Sequence, residues 1–171
     1  PKKPQICFLK NMQWKFGMKS QLKWFKYNIK KYSLNGNYTP GKALNFGVGK
    51  AKNILVIDDS EDIHYLLEVF FEDGPESTNA VYCKSLKDGL KLIRENHQFW
   101  DVVFTDLNIG HEKGEDLLFT IGRENLRGKM KIIAMSAMID EAKRMELINI
   151  GFNDAVSKNF DQAIINALIK Y

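Results

Sequence analysis

The clearest candidates for chemistry are acidic residues that end short apolar runs. Asp106 follows such a run from Val102, and Asp58 and Asp59 follow another from Asn53. Runs of this kind, rich in Val, Ile and Leu, are typical of strands that are covered on both faces. Because open α/β sheets bind ligands at the carboxyl ends of their strands, we expect the three carboxylates to form one acidic pocket.

Such a pocket needs positive charge, because carboxylates a few ångströms apart repel one another. Mg²⁺ suits it, since this ion binds carboxylates together with water and phosphate oxygens. Ser136 and Lys158 lie at the ends of two later apolar runs and would add a hydroxyl donor and an ammonium group. Together these groups would stabilise a phosphoryl group on a carboxylate oxygen, and Asp106 is the expected nucleophile.

The elements that must position these residues alternate along the chain from Asn53 onward. The predicted helices begin near Ser60, Ser85, Gly114, Asp140 and Phe160, and the predicted strands are Asn53–Asp58, Ala80–Cys83, Trp100–Thr105, Lys131–Met135 and Asp154–Ser157. This alternation predicts an α/β fold, a flavodoxin-like doubly wound sheet of five parallel strands in the order 2-1-3-4-5. Strands one and three are neighbours in that order, which would bring Asp58, Asp59 and Asp106 together.

Residues 53–171 resemble the receiver domain of two-component response regulators, in its single-domain, chemotaxis-regulator-like form. Ser136 lies 30 residues after Asp106, and Lys158 lies 22 residues after Ser136, spacings that fit the family. The matching positions, in chain order, are Asp58-Asp59, Asp106, Gly114, Ser136-Ala137 and Lys158.

The resemblance implies a role for each of these residues. Asp106 would be the phosphoacceptor, and Ser136 and Lys158 would act on the phosphoryl group. The implied Mg²⁺ ligands are Asp59, Asp106, the backbone carbonyl of Asn108 and, through a water molecule, Asp58.

The resemblance also implies partners. A histidine kinase or a phosphotransfer protein would donate the phosphoryl group, and a downstream protein that the sequence does not name would bind a switched surface. The domain would catalyse its own phosphorylation and the later loss of phosphate to water, rather than act as a conventional enzyme.

Three positions depart from the family's pattern. Asn159 replaces the proline that usually follows the lysine, and a cis bond before a non-proline residue costs about 3–4 kcal/mol, so the direction of Lys158 needs another cause. Ala155 replaces the aromatic residue of the switch, and Gly110 replaces a frequent proline, which predicts a looser loop after Asp106. Asn159 and Ala155 support an alternative function, a degenerate receiver that binds a protein without phosphorylation.

Other functions fit less well. Mg²⁺-dependent phosphatases with an aspartate nucleophile typically have an acid two residues later, where this chain has Asn108. A DNA-binding regulator would need a recognition helix after a clear turn, which residues 1–50 do not offer. His64, His97 and His111 share no metal-binding spacing, and we expect them to be solvated, although His64 would lie near the pocket.

Charge divides the chain into two predicted domains, residues 1–50 and 51–171. Residues 1–50 contain 11 lysines and no acid, so the remainder carries 14 basic and all 21 acidic residues, a net of −7. The basic, aromatic-rich extension predicts contact with an anionic surface, either nucleic acid or lipid headgroups. The alternatives are a solvated lysine face whose apolar side packs on the second domain or stays unfolded, and a segment that is absent from the mature protein.

Composition bounds the cellular setting. No run of about 18 apolar residues predicts a transmembrane span, and no apolar stretch follows the first lysines as in a secretory signal. Cys7 and Cys83 fall in different predicted domains without a metal-binding spacing, which favours free thiols. We therefore expect a cytoplasmic protein.

Overall fold

Strands and helices alternate through residues 51–170, the part of the chain that the computed structural model describes. The five helices are α1 (Glu61–Glu72), α2 (Leu86–Glu95), α3 (Glu115–Arg123), α4 (Glu141–Ile150) and α5 (Gln162–Ile169). The seven strands are β1 (Lys52–Ile57), β2 (Thr78–Cys83), β3 (Val102–Asp106), β4 (Asn108–Ile109), β5 (Glu112–Lys113), β6 (Lys131–Ser136) and β7 (Asp154–Ser157). The basic extension, residues 1–50, lies outside this part of the chain, and so does the prediction that it contacts an anionic surface.

Five of the strands form one parallel sheet in the order β2-β1-β3-β6-β7. When only these five strands are numbered along the chain, their order in the sheet is the predicted 2-1-3-4-5, so the predicted flavodoxin-like fold is confirmed. The register pairs Ile57 with Thr105 and Asp106 with Met135. The carboxyl ends of β1, β3 and β6 therefore meet at one edge of the sheet.

The sheet is covered on both faces, as its apolar strands predict. Along β1, Leu55 and Ile57 face one core cluster, whereas Ile54 and Val56 face the other, as the two-residue period of a strand requires. Helices α2, α3 and α4 contribute to the first cluster, and α1 and α5 contribute to the second. All five residues of β3 are buried, so Asp106 ends a strand at the centre of the sheet.

Side-chain caps set several helix starts. The Ser85 hydroxyl accepts the Asp88 N–H at 3.1 Å, and the Asp140 carboxylate accepts the Lys143 N–H at 2.8 Å, at the predicted positions. Helix α5 starts later than predicted, because Asp161 caps it and Phe160 is buried in the core instead. None of the helices in this part of the chain has the length and hydropathy needed to cross a bilayer.

A short antiparallel hairpin, β4–β5, interrupts the loop between β3 and α3, where we did not expect paired strands. Asn108 pairs with Lys113, and Ile109 pairs with Glu112. Gly110 occupies the turn with φ of 58°, a left-handed conformation that glycine adopts without steric cost. The segment after Asp106 is thus a paired turn rather than the looser loop that we expected from Gly110.

Candidate functional site

Three carboxylates converge at the carboxyl edge of the sheet. Asp58 and Asp59 follow β1, Asp106 ends β3, and oxygen atoms of the three groups all lie within 4.8 Å of one another. Asp58 is fully buried and Asp106 is 5% exposed, whereas Asp59 is exposed. The pocket therefore has two buried acids and one that faces solvent.

Lys158 supplies the positive charge that such a pocket needs. Its ammonium nitrogen lies 2.8 Å from Asp58 Oδ2 and 2.8 Å from Asp106 Oδ2. Its backbone N–H donates to the Ser136 carbonyl at 2.7 Å, which ties the end of β7 to the end of β6. No peptide bond in residues 51–170 is cis. The bond between Lys158 and Asn159 is therefore trans, and the Lys158 side chain reaches the pocket without a cis bond.

Burial and charge shift the pKa values of the two buried partners. Burial raises the pKa of Asp58, and this effect outweighs the hydrogen bonds from Lys158 and from the Ser60 N–H at 2.9 Å. Burial by itself would lower the pKa of Lys158, but its bonds to Asp106 and Asp58 outweigh that effect and raise it. Lys158 therefore stays protonated and balances part of the carboxylate charge.

Ser136 lies at the rim of this pocket, as the last residue of β6. Its neighbour on β7 is Ser157, whose hydroxyl donates to the Ala137 carbonyl at 3.0 Å. Ser157, which was not among the predicted site residues, thus links the loop after Ser136 to β7. Ala155 is 5% exposed within the core, so no aromatic ring occupies this position of β7.

The hairpin β4–β5 reaches the same pocket from the other side. The Gly110 N–H donates to Asp59 Oδ2 at 3.1 Å. Asn108, the predicted carbonyl ligand, lies in β4, two residues after Asp106. The hairpin therefore contains the predicted carbonyl ligand, Asn108, and donates a hydrogen bond to the exposed acid of the pocket, Asp59.

His64 lies next to the pocket, but the prediction that it is solvated is wrong. The residue is 9% exposed, and its ring packs against Tyr82, with 5.2 Å between the ring centroids. Burial lowers its pKa, although a hydrogen bond with the Asp58 backbone acts in the opposite direction. An amphipathic pattern did not reveal this, because the covering residue comes from a different element, β2.

The donor set decides which metal ion the pocket suits. The cluster of acids in residues 51–170 that can hold an ion consists of Asp58, Asp59 and Asp106, all of which offer oxygen. Hard divalent cations prefer oxygen donors, whereas softer metals prefer sulfur and imidazole. Two buried acids beside a single ammonium group leave negative charge that Mg²⁺ can neutralise, so the residues present fit this ion.

The chain is similar to a known protein family. The family model of the response regulator receiver domain matches residues 54–170 of the chain.

Solved structures with the same fold include several response regulators. The receiver domain of a Francisella response regulator is 23% identical with a TM-score of 0.61, over 70% of this chain and 93% of that one. A Thermotoga maritima response regulator is 21% identical with a TM-score of 0.59, over 71% and 96% of the two chains. A Burkholderia pseudomallei response regulator with a phosphorylated aspartic acid, calcium and citrate is 21% identical with a TM-score of 0.57, over 69% and 66%.

Proposed function

Because the chain belongs to the response regulator receiver domain family, we propose that it accepts a phosphoryl group on Asp106 in a two-component phosphorelay. The observation that carries this proposal is the contact between Asp106 Oδ2 and the Lys158 ammonium at 2.8 Å, beside two further carboxylates. A carboxylate that a fixed cation and a metal ion can both neutralise is suited to attack an electrophilic phosphorus atom.

The metal chemistry belongs to the same proposal. The groups that would hold Mg²⁺ are the carboxylates of Asp59 and Asp106, the Asn108 carbonyl and, through water, Asp58. When bound, Mg²⁺ would offset carboxylate charge and withdraw electron density from the phosphoryl oxygens. The Burkholderia pseudomallei response regulator, which contains a phosphorylated aspartic acid and a calcium ion, supports the pairing of these two groups on this fold.

The protein's own groups would divide the transfer among them. One carboxylate oxygen of Asp106 attacks the phosphorus of a phosphohistidine, the phosphorus–nitrogen bond breaks, and its electron pair stays on the donor's imidazole. Lys158 lies 2.8 Å from Asp106 and would stabilise the charge on the phosphoryl oxygens. The Ser136 hydroxyl would donate a hydrogen bond to one of those oxygens. Loss of phosphate follows when water attacks the same phosphorus atom. The bond from phosphorus to the Asp106 oxygen breaks, its electron pair stays on the regenerated carboxylate, and inorganic phosphate leaves while the proton of the water passes to solvent.

The partners follow from this chemistry. The donor would be a histidine kinase or a phosphotransfer protein, and the phosphorylated state would be recognised by a downstream protein. A cytoplasmic location belongs to the same proposal, and the free, buried Cys83 is consistent with a reducing compartment.

One feature favours the alternative of a degenerate receiver that binds a partner without phosphorylation. Ala155 is buried in the core and offers no ring that could follow the Ser136 hydroxyl when a phosphoryl group arrives. The contacts of the Lys158 ammonium with Asp58 and Asp106, at 2.8 Å each, support phosphorylation instead. Phosphoryl uptake distinguishes the two functions.

The test uses the full chain, Mg²⁺ and a small-molecule phosphodonor, with the mass of the intact protein as the measurement. We expect an adduct of about 80 Da, one phosphoryl group, that Asp106→Asn abolishes. Asp116→Asn is the matched control, because Asp116 is an exposed carboxylate in the first turn of α3, and it should keep the adduct. A protein that gains no mass with Mg²⁺, or an adduct that survives Asp106→Asn, would contradict the proposal.

A further inference from the structure

The hairpin β4–β5 crosses the carboxyl edge of the sheet and contacts two other elements. The Gly110 N–H donates to Asp59, which follows β1, and Glu112 Oε2 accepts the N–H of Leu86 at 3.1 Å. Leu86 is the first residue of α2, three residues after the end of β2 at Cys83. Since β1 lies between β2 and β3, the hairpin extends from β3 across the end of β1 to α2.

Glu112 is the contact at the far end of this span. The first N–H groups of a helix have no partner within the helix, and an acid near them is favoured by the helix dipole. In α2, the Ser85 hydroxyl accepts one of them, from Asp88, and Glu112 accepts another, from Leu86. Glu112 thus satisfies a group that would otherwise need water, from an element 26 residues later in the chain.

The hairpin depends on such contacts. It has two residue pairs, Asn108 with Lys113 and Ile109 with Glu112, and an isolated two-stranded hairpin is marginally stable in water. Ile109 is 3% exposed and packs in the same core cluster as Leu86, which holds one strand. Glu112 and Lys113 are both exposed. Besides the pairing with β4 and the Gly114 N–H bond to the Leu107 carbonyl at 3.0 Å, the Leu86 contact is a hydrogen bond that fastens β5 to another element.

We propose that Glu112 is a positioning residue for the metal site, and this inference rests on the proposed function. By fastening β5 to α2, Glu112 holds β4 and the turn in register. The Asn108 carbonyl then keeps its position, and so does the Asp59 carboxylate, which accepts the Gly110 N–H. These are two of the groups that would bind the ion. Glu112 itself does not touch the ion.

Mg²⁺ binding to the full chain tests this role, measured by titration calorimetry with the metal alone. In Glu112→Ala, we expect the dissociation constant of Mg²⁺ to rise about 3- to 10-fold, since one partly buried hydrogen bond to a carboxylate is lost. Glu112→Gln should stay within about twofold of wild type, because the amide oxygen accepts the same N–H.

The matched control is Glu72→Ala, which removes the same charge from an exposed site. Glu72 ends α1, about 18 Å along the helix from the pocket by the rise of 1.5 Å per residue, and this variant should bind Mg²⁺ as wild type does. Hydrogen exchange of the Gly110 amide without metal is a second measurement. We expect it to be faster in Glu112→Ala and unchanged in Glu112→Gln and Glu72→Ala.

Two results would overturn the inference while leaving the proposed function intact. One is a Glu112→Ala variant with lower stability but unchanged Mg²⁺ affinity and Gly110 exchange, which would make Glu112 only a cap of α2. The other is equal weakening in Glu112→Ala and Glu112→Gln, which would assign the effect to charge. If the wild-type protein bound no Mg²⁺ and took up no phosphoryl group, both the inference and the proposed function would fail.

Discussion

Removal of the Lys158 ammonium, by Lys158→Met, should destabilise the protein in a manner that depends on pH. Methionine keeps an unbranched side chain of similar length, so the change removes mainly charge. The variant leaves Asp58, with no exposed surface, beside Asp106, whose side chain is 7% exposed. These carboxylates would then repel each other without a cation between them.

The size of the effect follows from distance and from protonation. Each distance of 2.8 Å between the Lys158 ammonium and a carboxylate corresponds to a Coulomb attraction of about 6 kcal/mol at an effective dielectric constant of about 20. This value does not include the cost of taking Lys158 out of water. Protonation of one carboxyl limits the loss, because neutralising an ordinary aspartate at pH 7 costs about 4 kcal/mol, and burial raises the pKa of Asp58. We therefore expect the free energy of unfolding to fall by about 2–4 kcal/mol at pH 7.

The pH dependence has a definite sign. In the variant, the folded-state pKa of Asp58 rises further above its unfolded value, so the variant is most stable at low pH and loses stability as pH rises through that pKa. Between pH 7 and pH 5, the cost of the substitution should shrink by up to about 1.4 kcal/mol for each pH unit. Mg²⁺ should also stabilise the variant more than wild type, because the ion would offset the same carboxylate charge.

The assay is urea unfolding at pH 5, 6 and 7, with and without Mg²⁺. Lys129→Met is the matched control, since Lys129 pairs with Asp101 at 2.5 Å but is 49% exposed at the opposite edge of the sheet. An exposed pair contributes about 1 kcal/mol or less, and this loss should not change with Mg²⁺. Two results would contradict this expectation. One is a loss of unfolding free energy in Lys158→Met that is no larger than the loss in Lys129→Met at pH 7, and the other is an equal loss in Lys158→Met at pH 5 and at pH 7.

Three further substitutions test the surroundings of the pocket. Gly114→Ala should lower the free energy of unfolding, measured in urea, by about 1–3 kcal/mol and impair phosphoryl uptake, because the added Cβ would clash with the Asp106 carbonyl. Its control is Gly122→Ala, which should be neutral or slightly stabilising because the added Cβ meets open space. His64→Phe should flatten the pH dependence of stability below about pH 6.5, because the lowered folded-state pKa of His64 makes the wild-type protein lose stability as pH falls through that window. An unchanged slope between pH 7.5 and 5.5 would contradict the assignment. Ser136→Ala should slow phosphoryl uptake from a small-molecule donor while Mg²⁺ affinity, measured by calorimetry, stays as in wild type; equal rates would exclude the hydroxyl from the transfer.

The order of the strands and the meeting of the acids could be predicted from the sequence for a local reason. Apolar runs separated by amphipathic stretches specify βαβ units, and the handedness of their crossovers leaves few topologies. Asp58 and Asp106 each end such a run, so their positions at one edge follow once the order is known. The caps Ser85 and Asp140 are local too, because each bonds an N–H three residues later.

Other features depended on contacts between segments that are distant in the chain. The direction of Lys158 is set by ion pairs with Asp58, 100 residues earlier, and with Asp106, rather than by the residue that follows it. His64 is buried because Tyr82 covers its ring from β2. No periodicity within a single segment carries this information.

The segment after Asp106 shows the same division. Its sequence determined that a strand ends on an acid and that a glycine follows within a few residues, which is compatible with a loop or a turn. Tertiary structure made it a hairpin, because two residue pairs are too few to be stable unless Ile109 is buried and Glu112 reaches the start of α2. The sequence by itself thus determined the fold and the acids of the pocket, whereas packing between elements decided how Lys158, His64 and the hairpin surround them.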